Sequence, residues 1–136
     1  MRRIVPAAVV AVLALAVFAI SASARIDHHF TVITNQFASH RTQDGFAFRE
    51  QLFASFNPND QVGNDRVRCR KAGIKFRCRA IVHLNGEEGG FGFIKVNGNV
   101  GQSDQRLNVV GGTDDFAGVA GKVIPHGHHL SFDLVR

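Results

Sequence analysis

The chain has no tryptophan and no tyrosine, one methionine, two cysteines and three prolines in 136 residues. Lacking Tyr and Trp, it has no phenol or indole donor, groups that often orient a bound ligand by a polar tip on an apolar body. Its only cysteines, Cys69 and Cys78, are spaced Cys-x8-Cys. That is a poor metal or thiol-catalysis pattern, and no third cysteine completes one. Beyond the N-terminal segment, no long stretch carries apolar residues at a period of 3.6, which excludes a helical domain. No Ser–His–Asp order, phosphate-binding loop or dinucleotide fingerprint occurs, so no cofactor is expected.

What is present begins with an export signal. Arg2 and Arg3 precede an apolar run from Ile4 to Ile20, interrupted only by Pro6, and Ala22-Ser23-Ala24 supplies the small residues of a cleavage site. Cleavage before Arg25 is expected, giving a signal peptide over residues 1–24 and a single domain over 25–136, with no stable membrane span after cleavage. The alternative is an uncleaved anchor, because the run approaches the ~18 apolar residues that suggest a span. Export would carry the chain to the cell envelope or the exterior, where paired thiols oxidise.

The 112 residues after the leader carry 14 Lys and Arg against 11 Asp and Glu, and seven of the cations fall between Arg66 and Arg79. A nucleic-acid footprint would need a broader basic surface interleaved with stacking aromatics. A solvated hairpin face is therefore expected, and no nucleic-acid partner.

All 14 glycines lie after the leader, and runs of period 2 recur between them. This reads as an all-β domain with strands at about 30–39, 46–54, 62–71, 74–84, 91–99, 106–110, 121–125 and 130–135. Turn chemistry separates them at Gln43-Asp44-Gly45, Asn57-Pro58-Asn59-Asp60, Asn85-Gly86 with Gly89-Gly90, and Gly101 to Asp104. A hairpin tip at Gly73-Ile74 would pair 72 with 75, 71 with 76, 70 with 77 and 69 with 78. The cysteines then become cross-strand neighbours, and a disulfide closing so short a loop should add about 2–3 kcal/mol. Eight short antiparallel strands fit a closed barrel or a sandwich. A barrel removes the exposed edges and leaves room for packed side chains or one small ligand.

Two rows define faces. Ile74, Phe76, Cys78, Ala80, Val82 and Leu84 alternate with Lys75, Arg77, Arg79 and His83, so one face is buried and the other wet. Phe46, Phe48, Glu50 and Leu52 share a face, which sets a carboxylate among phenylalanines.

Three blocks in order resemble the dirigent and allene oxide cyclase barrel group. They are Asp44-Gly-Phe-Ala-Phe-Arg-Glu-Gln-Leu52 followed by Val62-Gly63, the Cys69 to Cys78 span followed by Phe93-Ile-Lys-Val-Asn-Gly98, and Gly111-Gly-Thr-Asp-Asp-Phe-Ala-Gly-Val-Ala-Gly121. The resemblance implies an eight-stranded antiparallel β-barrel, often a homotrimer, with an apolar lumen open at one end. Members of the group close a ring from an epoxide or guide the coupling of radicals. The signature's glycine after threonine is Asp114 here, its later arginine is Ala120, and its acidic pair reads Arg49-Glu50.

Glu50 is the candidate catalytic residue, since partial desolvation beside Phe46 and Phe48 would raise its pKa and suit acid–base work. Phe46, Phe48 and Asn97 are candidate contacts to a small apolar ligand. An alternative is that Arg49 or another base neutralises Glu50 structurally. His28-His29 and His126-Gly127-His128-His129 carry metal-ligating side chains, but adjacent strand residues point to opposite faces, and no metal site is expected. Asp114 and Asp115 could cap a short helical turn. Three readings stay open: a barrel that steers a cyclisation or coupling, a non-catalytic lipocalin-like binding module, and a cell-envelope interaction protein with a packed lumen.

Overall fold

The computed structural model describes residues 29–101 and 105–136. The expected leader at 1–24, His28 and most of the 101–104 turn lie outside the described residues. Eight strands follow in order: β1 His29–Thr42, β2 Gly45–Ala54, β3 Asn57–Ala72, β4 Lys75–Asn85, β5 Phe91–Val100, β6 Leu107–Gly112, β7 Ala120–His126 and β8 His129–Val135. Each pairs antiparallel with its sequence neighbours, and β8 returns to β1, so the sheet closes as an up-and-down barrel. The strands alternate because closure wets one face and buries the other. Phe30 and Val32 on β1, Val82 and Leu84 on β4, Ile94 and Val96 on β5, and Phe132 and Leu134 on β8 all turn into one core.

The β3–β4 hairpin pairs Ala72 with Lys75, Lys71 with Phe76, Arg70 with Arg77 and Cys69 with Cys78, the expected register. The two cysteines are bonded. Gly73 at the tip has φ 66, a left-handed conformation open to glycine, and Ile74 beside it is almost fully exposed. Ile74 is therefore a turn residue and not the start of a strand.

The expected turn at Asn57 to Asp60 lies inside β3 instead. The β2–β3 reversal is made by Ser55 and Phe56, with Ala54 opposite Asn57 and Phe53 already opposite Gln61. Residues 58–60 thus leave the ladder as a bulge. Pro58 has no N–H to donate, and the Asn57 side-chain oxygen accepts the Asn59 N–H at 3.2 Å. The turn chemistry is real, but it bends a strand rather than ending one.

An up-and-down barrel has two ends. The β2–β3, β4–β5 and β6–β7 connections close one of them. There Phe30 stacks on Phe132 with centroids 4.5 Å apart, and Leu52, Leu84 and Phe116 are fully buried. Phe116 is carried by a 3-10 turn, Asp114–Phe116, which packs on β5 and β6. Thr113 makes no side-chain cap to this turn, and neither aspartate caps it by its carboxylate. Asp115 accepts the Phe91 N–H at 2.8 Å across to β5, and Asp114 accepts from the Thr113 hydroxyl at 3.0 Å. Gly121, at the start of β7, has φ 131, and a Cβ there would run into the Asp133 carbonyl oxygen. The other end carries the turns at 43–44, 73–74 and 127–128 and, among the described residues, stays open.

Candidate functional site

Toward the open end the core hollows into a cavity of about 230 Å³. A cavity of about 150 Å³ already holds a benzene ring, so this one suits a ligand of one or two rings. Its wall is largely apolar and includes Phe46, Phe48, Val67, Phe76, Val96 and Leu107. The Phe46 ring lies 6.1 Å from Phe48 and 5.1 Å, edge-on, from Phe76. The bonded Cys69 and Cys78 also face it, and among its described lining residues there is no Lys, Arg or His.

Two carboxyls enter this apolar wall. Glu50 on β2 stands in register with Asp65 on β3, and Asp65 stands opposite Val82 on β4. Their side chains share a hydrogen bond, and Thr34, buried on β1, holds Glu50 by a second one. Asp65 is 2% exposed, and its Oδ1 has no hydrogen-bond partner. Desolvation raises both acids, and the Glu50 charge adds to the burial of Asp65 to push it up to about 8. For Glu50 the two hydrogen bonds and the nearby His128 offset part of the burial. Two acids this close titrate as a unit, and with Asp65 pushed up to about 8 the pair still holds a proton at neutral pH. Such a pair offers a donor and an acceptor side by side.

Phe46, Phe48 and Glu50 therefore share the lumen, while Asn97 does not join them. Ile94 and Val96 point inward on β5, so the intervening side chains and Asn97 face outward, into a groove with Arg68 and Arg79. Arg49 likewise faces out and does not neutralise Glu50. Asp65 and Thr34 were absent from the sequence-level expectation. Period 2 does put Asp65 on the face of Val67 and Cys69, a signal of the kind that marked Glu50 among its phenylalanines.

The histidines are dispersed. His29 lies 3.2 Å from Asp133, and His126 stacks on His129 at 5.5 Å with its Nε2 2.7 Å from the Ser131 hydroxyl. Among the described residues no three His, Cys, Asp or Glu side chains gather as a metal site.

Fold and site together define a closed eight-stranded antiparallel barrel with an acid pair in an apolar, one-ended lumen. No family model and no curated protein matches the chain. A solved structure of pyocyanin demethylase is similar to it, with a TM-score of 0.61 and 16% identity over 79% of this chain and 99% of that one. At that identity the likeness extends to the fold alone.

Proposed function

We propose that the protein is a small-molecule barrel whose lumen takes a flat, mostly apolar ligand with a cationic or hydrogen-bonding end set against Glu50 and Asp65. One observation carries this reading: a buried carboxyl oxygen, Asp65 Oδ1, left without a partner in an apolar cavity. An unsatisfied buried polar atom costs about 1–3 kcal/mol, which a ligand donor would recover. When it holds a single proton, the pair can withdraw a proton through one carboxylate and return one through its neighbour. A ligand pinned by Phe46, Phe48 and Phe76 is held in a single pose, so orientation would do much of the work in steering a cyclisation or coupling.

That finer reading follows the dirigent and allene oxide cyclase resemblance. Asp114 supports it, because the residue standing at the signature's glycine has φ 55, the left-handed conformation that glycine takes most readily and aspartate tolerates. The same reading makes the chain an exported protein cleaved before Arg25 and assembled as a trimer. The bonded cysteines suit an oxidising compartment. A mature N-terminus at Arg25 and a trimer mass in native mass spectrometry are the expected results.

Three probes of matched size test the lumen: N-methylquinolinium, naphthalene and 2-naphthoate. Binding should fall in that order, and Glu50→Gln should erase most of the preference for the cation. Tightest binding of the naphthoate, or no binding of any probe, removes the reading.

A further inference from the structure

The alternation that sends Glu50, Asp65 and Val67 inward sends Arg49, Arg66, Arg68, Arg79 and Lys95 outward, all exposed, around a surface groove of about 710 Å³. Register sets Arg49 opposite Arg66, Arg68 opposite Arg79, and Arg70 opposite Arg77. Like charges directly opposite one another in a sheet oppose folding. Among the described residues, Asp44 is the one carboxylate in ion-pair contact with this face, 3.3 Å from Arg70. Polar uncharged residues would keep the face equally wet without the repulsion. Six arginines in three opposed pairs are therefore a surface awaiting negative charge.

The rest of the face narrows its partner. Two residues along β5 from Lys95, exposed Phe93 lies 4.7 Å from the His83 ring, and exposed Phe91 meets the same ring edge-on at 6.2 Å. Asn97 contributes an amide to the groove, and Ala47 supplies a shallow apolar floor. Guanidinium forks take carboxylates in pairs of hydrogen bonds, which a lysine ammonium does not. Cross-strand neighbours repeat at about 4.8 Å and same-face strand positions at about 6.7 Å, a spacing that successive anionic groups of a polymer can match. A second copy of the chain would bring the same sign of charge and be repelled. The Cys69–Cys78 bond suits an oxidising compartment, where acidic polymers include the uronate-bearing glycans of envelopes and matrices.

We propose that the outer groove of β2–β5 binds an acidic polysaccharide, with Arg49, Arg66, Arg68 and Arg79 holding uronate carboxylates and Phe93 with His83 stacking a sugar face. This site is separate from the lumen and stands or falls independently of the ligand proposed there.

The test measures binding of a fluorescently labelled oligogalacturonate to the full-length processed protein at 50 and 200 mM salt. Neutral dextran, a single-stranded DNA oligomer and phosphatidylglycerol vesicles serve as competitors. Oligogalacturonate should bind and weaken by about tenfold over that salt range. The triple variant Arg66→Gln, Arg68→Gln, Arg79→Gln should lose at least about tenfold, two salt-bridged contacts' worth. The matching triple Lys variant should fall between, because it keeps the charge and loses the fork. Far-ultraviolet circular dichroism and the thermal midpoint report whether each variant retains its barrel. No oligogalacturonate binding at 50 mM salt, or an unchanged triple Gln variant that retains its barrel, overturns the proposal. Tighter binding of the DNA or the vesicles also overturns it and reassigns the face to that partner.

Discussion

The cavity lining of β2–β4 holds two carboxyls and no cation, whereas the outer face of the same three strands holds six arginines and, among the described residues, meets one carboxylate. Arg49 and Glu50 are adjacent in the chain, as are Asp65 and Arg66, yet the sheet stands between each pair. A salt bridge within either dipeptide would cancel both groups. Strand alternation forbids it, because successive side chains leave on opposite sides. Solvent then separates their fates: outside, water and salt screen the arginines from one another, and inside, burial raises the acids and keeps a proton on the pair.

The sharpest way to break this comparison is to place the same new carboxylate on each side. Val82 is buried opposite Asp65, and its neighbour Ile81 is exposed opposite Arg66. Val82→Asp should cost about 3–5 kcal/mol in urea unfolding, as an uncompensated buried charge does. Ile81→Asp, set among arginines, should stay within about 0.5 kcal/mol of the parent or gain slightly. Equal losses at the two positions would erase the distinction between the faces.

The second prediction is a pH dependence. Asp65 and Glu50 have higher pKa values folded than unfolded, so the folded state binds more protons between the two values. That contribution to stability is present at low pH and is lost as pH rises from about 4 through about 8. The thermal midpoint should therefore fall across this window, and Asp65→Asn should flatten the fall. A midpoint that rises steadily from pH 5 to pH 8 in the parent, unaltered in Asp65→Asn, would mean that the acids are not buried together.

The smallest effect belongs to the outer face. Arg68→Glu replaces a like-charge pair with an opposite-charge one against Arg79, and should stabilise by up to about 1 kcal/mol at low salt. The gain should shrink in 0.5 M salt. A loss of stability would show that the arginines support the barrel rather than burden it.

Much of the fold was legible because closure imposes a strict period. The hairpin register from Cys69 to Cys78, the Phe46–Phe48–Glu50 row and the inward set of β4 all followed from alternation. The site was legible only in half. Glu50 stood out against phenylalanines, but its meaning depends on Asp65, and their pairing is a property of the β2–β3 register. That register runs through irregularities at 58–60 and at Val62, and the turn chemistry of Asn57 to Asp60 marks the first without saying that the strand continues past it. Asn97 stands apart from the lumen for the complementary reason: its amide is visible in sequence, while the direction it faces is set by Ile94 and Val96.

The packed end of the barrel has a further consequence. With Phe116, Phe30 and Phe132 filling one end, the lumen is a cul-de-sac. Whatever enters must leave by the same mouth, past Phe46 and Phe76, before another molecule can take its place. On the proposed reading occupancy would be a matter of queueing, because one molecule departs before the next arrives.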